Sequence, residues 1–452
     1  MSMFAEQFRK RTPRSKQLYE EARRYLAGGV GGRGKFFKPY PLYFKRAYGC
    51  RLVDVDDNEY LDVTMGAGPN LLGHNLKVIT EAVKKQLEIA THVFFSTPLE
   101  VELAKKINQH MPHLELLRFA NSGSEAVRQT IKIARAYTGR EKIAKFEGGF
   151  HGSDDAFLVS CMSPEVKGPD NAPEPVLDYA GIPSVVLEQT LVLPFNNTDA
   201  CVSLIRKHGK ELAALILEPV AATPGGGVVI EKEFLEAIRE ETAKEEILLI
   251  YDEIVTGFRL GLGGAAGHFG IAPDVAAIGK ALAGGIPIAA FGGKREIMDA
   301  VVTPTGDTSD HQTKIFHSGT FSGNPVAMAA GLAMLDEIER SNPYPYLQTI
   351  GDRLREGLRE VFSRYNLPVQ VSGIGSIFNF TITDRPVVTR RDVLRSNTAL
   401  QAEFCLGLIA NGVLQPVRHA SFLSAAHQEA DIVEYLEKSN LVLMAMRKAG
   451  AI

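Results

Sequence analysis

Tryptophan is absent from the 452 residues, and cysteine occurs only four times, at Cys50, Cys161, Cys201 and Cys405. No two of these form a CxxC pair, which excludes a zinc ribbon or a thioredoxin-type motif. A chain this long buries a large core without staples, so the scarcity of cysteine points to a reducing compartment, and the cytoplasm is the expected location. No apolar run approaches the roughly 18 residues of a membrane helix. Neither sign of charge dominates: 50 Lys and Arg stand against 53 Asp and Glu, a net charge of −3. There is no global field toward nucleic acid or an anionic membrane, and neither is expected as a partner. The basic N-terminal stretch (Arg9, Lys10, Arg11, Arg14, Lys16) lacks the apolar segment of a secretory signal. Glu6, Glu20 and Glu21 interrupt it, and Ser15 to Leu26 reads as a folded amphipathic helix. Internal repeats and low-complexity linkers are also missing.

What is present is the composition of an ordinary globular protein, 45% hydrophobic and 23% charged. Between residues 75 and 300 helices alternate with short apolar runs. Leu76–Glu88 and Glu125–Thr138 have helical spacing, and Gly139 ends the second. Leu116–Phe119, Ile143–Phe146, Ala213–Leu217, Ile247–Tyr251 and Val275–Ile278 read as buried strands. This alternation predicts an α/β fold with a mostly parallel sheet covered on both faces. Residues 42–62 read as a β-meander turning at Asp56-Asp57-Asn58. Residues 326–452 mix long helices (Ala329–Arg340, Tyr346–Tyr365) with strands near Val369 and Ile377. The expected organisation is a large domain over residues 75–325 and a smaller α+β domain built from residues 1–74 and 326–452.

In open α/β sheets the ligand lies at the carboxyl ends of the strands. Four strand ends carry chemistry. Asn121-Ser122-Gly123-Ser124-Glu125 opens a helix: Ser122 and Glu125 fit a capping box, and the exposed N–H groups suit a phosphate. Glu147-Gly148-Gly149-Phe150-His151-Gly152 lets backbone approach a ligand, with Phe150 placed to stack on a flat ring; a plain glycine turn over a core Phe has the same pattern. Asp252 ends a wholly apolar run, where a carboxylate needs a cationic partner; an Asp capping the next loop has the same pattern. Lys280 follows Val275–Ile278 among small apolar residues with no adjacent acid, which lowers its proton affinity and makes it a better nucleophile; a lysine snorkelling to solvent would look alike. Together they make a phosphate cradle, an aromatic face, a buried acid and an unpaired lysine, the inventory that holds pyridoxal 5′-phosphate.

The motifs RFANSGSEA (118–126), KFEGGFHG (145–152), ILEP (216–219), DEIVTGFR (252–259), PDVAAIGKALAGGIP (273–287) and HSGTFSGNPVAMAAG (317–331) occur in this order. With them the sequence resembles the class III aminotransferases of the fold-type I pyridoxal-phosphate superfamily. The pattern is nearest the branch of glutamate-1-semialdehyde aminomutase, D-phenylglycine aminotransferase and β-amino-acid aminotransferases, and it runs from about Ser15 to the C-terminus. The resemblance implies a seven-stranded-type large sheet and the following roles. Lys280 matches the Schiff-base lysine, and Asp252 the partner of the pyridine nitrogen. Ser122, Gly123 and Ser124 match the phosphate loop. Phe150, with His151 beside it, matches the ring-stacking aromatic, and Ile254 the apolar residue on the other face. Glu218 matches the glutamate near the phenolic side. Thr320 matches the threonine that reaches the neighbouring subunit's phosphate, which implies a homodimer with interface active sites.

Departures bear on the substrate. Thr223 stands where ornithine- and GABA-type relatives carry a second glutamate, Ala67-Gly68-Pro69 where the aminomutase usually has Trp-Gly-Pro, and His419 where it usually has a glutamate. The SFLSAAH ending and HSGTF lean toward the D-phenylglycine and β-amino-acid aminotransferases. Arg33 and Arg418 are the candidates for a substrate carboxylate, since guanidinium matches it as a fork; a surface salt bridge is the plain alternative for each. The expected activity is transamination between a small-molecule amino donor, such as a β-amino or aromatic amino acid, and an oxo-acid acceptor, through pyridoxamine phosphate. An isomerase of the glutamate-1-semialdehyde 2,1-aminomutase type is the alternative on the same scaffold. A nicotinamide enzyme would need a G-x-G-x-x-G at a first strand–helix turn and would leave Lys280 unexplained.

Overall fold

The computed structural model describes residues 3–223, 225–417 and 419–452. The strands in chain order are β1 (Phe44–Tyr48), β2 (Arg51–Asp54), β3 (Glu59–Asp62), β4 (Leu116–Ala120), β5 (Lys142–Phe146), β6 (Thr190–Leu193), β7 (Leu212–Leu217), β8 (Val220–Ala221), β9 (Val228–Val229), β10 (Leu248–Glu253), β11 (Val275–Ile278), β12 (Ala289–Gly293), β13 (Gln370–Ser372), β14 (Ile377–Thr381), β15 (Val413–Leu414) and β16 (Ser421–Phe422). Seven of them form the central sheet, in the order β4-β12-β11-β10-β7-β5-β6. Strand β12 runs antiparallel to both neighbours, and the other pairs described are parallel.

The apolar runs sort their side chains onto two faces by the two-residue period of a strand. Leu215, Leu217, Leu249, Tyr251, Ala276 and Ile278 pack into one core. Their neighbours Ala214, Ile216, Leu248, Ile250, Val275 and Ala277 pack into the other. Helix Gly123–Thr138 covers the second face through Ala126, Val127 and Ile131. Helices Lys232–Lys244 and Pro325–Ser341 cover the first through Phe234, Ile238, Met328 and Met334. Both faces are dry, so strands without polar alternation are stable here.

The chain ends meet in one sheet, of order β1-β2-β3-β15, where Leu61 lies opposite Val413 in a parallel pair. A second small sheet joins β13, β14 and β16. The meander anticipated at residues 42–62 is present, and Asp54 holds its turn by accepting from the backbone N–H groups of Asp56 and Asn58. The N-terminal helix anticipated to reach Leu26 stops at Ala22, and a short turn at Ala27–Gly29 follows, with Gly28 and Gly29 at φ +67° and +72°. No described helix is long and apolar enough to cross a membrane.

Candidate active site

Parallel register brings the candidate residues to one edge of the sheet. In the β10–β11 pair Asp252 lies opposite Ala277, three residues before Lys280. Asp252 and Glu253 belong to β10 itself and are buried, so the strand runs two residues past its apolar run. Glu253 is stabilised by the N–H groups of Ala265 (2.6 Å) and Ala266 (3.2 Å) and by the Thr256 hydroxyl (2.9 Å). Burial still pushes its carboxyl up to about 7.

Among the described residues no lysine or arginine pairs with Asp252. Its Oδ2 is 2.9 Å from His151 Nδ1, and its Oδ1 accepts from the Ile254 N–H at 3.1 Å. His151 is 1% exposed, and burial lowers its proton affinity more than Asp252 raises it. The imidazole is therefore neutral, with Nδ1 donating to Asp252, and its buried Nε2 has no hydrogen-bond partner among the described residues.

Lys280 sits at φ +43°, in the turn Lys280–Leu282 that follows β11 and Gly279. Among the described residues its amine is engaged by no hydrogen bond or ion pair. Burial pulls its pKa down to about 8, with Arg259 acting in the same direction and Glu218 and Asp252 against it. Glu218, just past β7, is pushed well above the usual carboxylate range by burial and then by Asp252, and its Oε2 accepts the Phe150 N–H at 2.7 Å.

The phosphate-loop candidates lie across from these groups. Ser122 caps helix Gly123–Thr138, its Oγ accepting from the Glu125 N–H at 3.2 Å. Ser124 Oγ accepts from the Ser153 N–H at 3.2 Å, which joins this loop to the glycine-rich one. The joint is tight: a Cβ on Gly152, at φ +98°, would stand 2.5 Å from Ser124 Oγ. Gly123 faces Ile254, whose side chain would lie 3.0 Å from an added Cβ. Phe150 stays 37% exposed, a ring with one open side.

The outlying candidates sit apart. Arg33 is exposed, with its guanidinium 4.6 Å over the Tyr179 ring. Thr320 is exposed in the loop before helix Pro325–Ser341, beside Gly319, which packs near Glu125 and Asn121. Arg418 lies outside the described residues. Sequence reasoning left Arg259 and the Glu147–Arg391 ion pair without a role. Glu147 sits inside the KFEGGFHG motif, but its partner is 244 residues away, and nothing local announces it.

The donor set fits pyridoxal phosphate. It offers an unpaired amine at the sheet edge, an acid oriented by a neutral histidine, an open aromatic face and a helix N-terminus lined by hydroxyls and glycine. Residues 36–438 match the sequence profile of the aminotransferase class-III family. A glutamate-1-semialdehyde 2,1-aminomutase of Persephonella marina is 42% identical over 431 residues, covering 94% of this chain and 97% of that one. The crystal structure of an omega-transaminase from Sphaerobacter thermophilus superposes with a TM-score of 0.90 at 35% identity, covering 96% of this chain and 98% of the other. A β-phenylalanine aminotransferase from Variovorax paradoxus superposes with a TM-score of 0.87 at 28% identity, covering 98% and 97%. The chain belongs to the class-III aminotransferases, enzymes of the fold-type I architecture whose cofactor is pyridoxal 5′-phosphate.

Proposed function

We propose that the protein shifts an amino group within one small substrate, as a glutamate-1-semialdehyde 2,1-aminomutase does, with Lys280 carrying both the cofactor and the migrating proton. The observation that carries this reading is the 42% identity to such an enzyme over nearly the whole of both chains. It reverses the order anticipated from the sequence, where transamination stood first. Transamination between a separate donor and an oxo-acid acceptor is the second reading. It is supported by the omega-transaminase likeness at a TM-score of 0.90, and by Ala67 and His419 at positions where the aminomutase usually has Trp and Glu.

Both readings use the same residues in the same roles. When bound, pyridoxal phosphate supplies an electron sink for the carbanion left by proton removal. An amine with its pKa near 8 is partly neutral at physiological pH, so Lys280 can take a proton from one carbon and return it to another on its flexible stem. Asp252, aligned by His151 and the Ile254 N–H, would face the ring nitrogen and keep it protonated. Phe150 and Ile254 would close on opposite faces of the ring. Ser122, Gly123 and Ser124 would hold the phosphate at the helix N-terminus. Glu218, its carboxyl raised well above the usual range by burial, would stand on the phenolic side. Arg33 and Arg418 are the proposed contacts for a substrate carboxylate.

A homodimer completes the reading, with Thr320 reaching the partner's phosphate. Phe94 (73% exposed), Phe95 (83%), Phe316 (79%) and Phe321 (58%) supply apolar surface for such a contact. A cytoplasmic location is supported by four cysteines that are all free and buried.

The test is substrate turnover by the holoenzyme with and without an oxo acid. Conversion of glutamate 1-semialdehyde in the absence of any acceptor is the expected result. No semialdehyde conversion, together with amine transfer from a β-amino or aromatic donor only when 2-oxoglutarate or pyruvate is present, would replace it with the transaminase reading.

A further inference from the structure

Arg259 closes the DEIVTGFR motif and is 2% exposed. A guanidinium so deeply buried ordinarily faces a carboxylate. None of the described carboxylates pairs with it. Its Nη1 donates to Ser376 Oγ at 2.7 Å and to the Leu423 carbonyl at 3.2 Å, and its Nη2 donates to the Gly68 carbonyl. Its Nε is buried without a partner. Its Cζ lies 4.9 Å over the Phe422 ring. Among the described residues each of these hydrogen-bond and ring contacts is with a neutral group. Among the described residues the titratable groups that face it are Tyr344, whose hydroxyl donates to the Phe258 carbonyl at 3.0 Å, and Lys280. Burial pushes the guanidinium down to about 9, so it remains a cation at neutral pH.

The segments that Arg259 holds form a wall beside Lys280. A Cβ on Gly68 would stand 3.5 Å from Lys280 Cδ and 3.4 Å from Phe422 Cζ, so the lysine stem lies against the backbone tethered by Arg259. Gly68 comes from the N-terminal part of the chain, while Ser376, Phe422 and Leu423 come from the C-terminal part. Among the described residues the charged and titratable groups that face Lys280 are Glu218 after β7, Asp252 on β10, Arg259 after β10 and His419 before β16. Glu218 and Asp252 favour the protonated amine, and Arg259 opposes it. His419 is itself held neutral by burial.

We infer that Arg259 is a positioning residue for Lys280: it ties the Gly68 and Ser376–Leu423 segments around the lysine stem, and its uncompensated charge repels the protonated form of the Lys280 amine. A planar fork is needed to reach acceptors on both segments at once, and the charge comes with it. The inference rests on Lys280 being the lysine that carries the cofactor.

Three holoenzyme variants, R259M, R259K and S376A, test it against the wild type. The readout is the pH at which the lysine–cofactor linkage loses its proton, followed by the visible absorbance of the bound cofactor. R259M should bind a proton there about three- to tenfold more tightly, an upward shift of about half to one pH unit. R259K loses the planar fork and should lose turnover through a lost tether. S376A removes a tether and no charge, and it should titrate as wild type. A wild-type titration in R259M, or an equal shift in S376A, overturns the electrostatic part and with it the inference. If R259M does not fold, R259Q carries the same expectation. Borohydride reduction and peptide mapping accompany each titration. Label on a lysine other than Lys280 would sink the active-site reading itself, whereas label on Lys280 with no R259M shift would sink only this inference.

Discussion

Replacing Arg391 by Met should cost stability out of proportion to one surface-loop helix. Arg391 stands in the helix Arg390–Arg395 and reaches back to the end of β5. Its Nε and Nη2 donate to Glu147 Oε2 and Oε1 at 2.8 and 3.1 Å, a bidentate fork. The same guanidinium donates to the carbonyls of Lys167 (2.7 Å) and Gly168 (2.8 Å) and to Asp170 Oδ1 (3.0 Å). The Arg391 and Glu147 side chains are 6% and 7% exposed, while Asp170 is 60% exposed. The outer contact is therefore screened and worth little. The inner pair is not: removing one partner strands Glu147 as a buried charge, which costs about 3–5 kcal/mol. Removing both, as Arg391→Met with Glu147→Gln, leaves no stranded charge, so the double variant should recover about 2 kcal/mol of that loss.

Urea unfolding of the wild type, the two single variants and the double variant gives the coupling directly. The perturbation should also reach the cofactor. Glu147 precedes Gly148, where a Cβ would stand 2.7 Å from Arg390 Cβ, and Gly149 leads on to Phe150. Loosening the clasp should therefore speed cofactor loss on dilution, measured by cofactor fluorescence. A loss below about 1 kcal/mol for Arg391→Met, or strict additivity of the two single changes, would refute the argument that Glu147 is held as a buried ion.

Lys280→Ala should bind pyridoxal phosphate without a borohydride-reducible link and lose nearly all turnover; a reducible link in that variant would assign the anchor to another lysine. Because Lys280 must be neutral to accept a proton, wild-type turnover should rise as pH increases through about 8 and level off above it, and a profile that falls there would contradict the base role. Asp252→Asn keeps the shape and removes the charge, and should slow the proton-transfer step by about 10²–10³-fold in single-turnover measurements; a near-wild-type rate would remove Asp252 from the chemistry. Gly152→Ala places a Cβ 2.5 Å from Ser124 Oγ at φ +98°, so it should cost about 1–3 kcal/mol in thermal unfolding and weaken cofactor retention, whereas unchanged retention would separate the two loops functionally.

Strand β11 was legible to the residue, and β4, β5 and β7 to within one, because a strand buried on both faces is written as an uninterrupted apolar run. Strand β12 was not anticipated. Its sequence Ala289–Gly293 is short and ends in two glycines. The structure supplies the reason: a Cβ on Gly292 would stand 2.2 Å from the Leu116 carbonyl, and one on Gly293 2.4 Å from the Asp274 carbonyl. Glycine is required there by close backbone approach from the two neighbouring strands, a constraint that exists only once those strands are paired. The site divides in the same way. Ser122, Phe150, Asp252 and Lys280 each end or follow a strand and announce themselves through local motifs. Arg259 and Arg391 take their meaning from partners more than 100 residues distant in sequence, so local patterning had nothing to say about them.

Asp252 shows how a buried acid at a strand end is held. Among the described residues no lysine or arginine pairs with it; a neutral imidazole aligns it, and the Ile254 N–H caps the loop on it. Hydrogen bonds can stabilise a buried carboxylate without neutralising it. The difference matters for chemistry. A carboxylate already paired with a lysine or arginine would have spent its charge, whereas one aligned by neutral donors keeps its full field for a cationic ligand nitrogen. The cations of the site are placed elsewhere: Lys280 opposite, and Arg259 behind it on neutral acceptors. Glu218 is raised well above the usual carboxylate range by burial and then by Asp252. The carboxylate on β10 and the amine after β11 thus stand on neighbouring strands as separate groups, one available to a ring nitrogen and the other to a migrating proton.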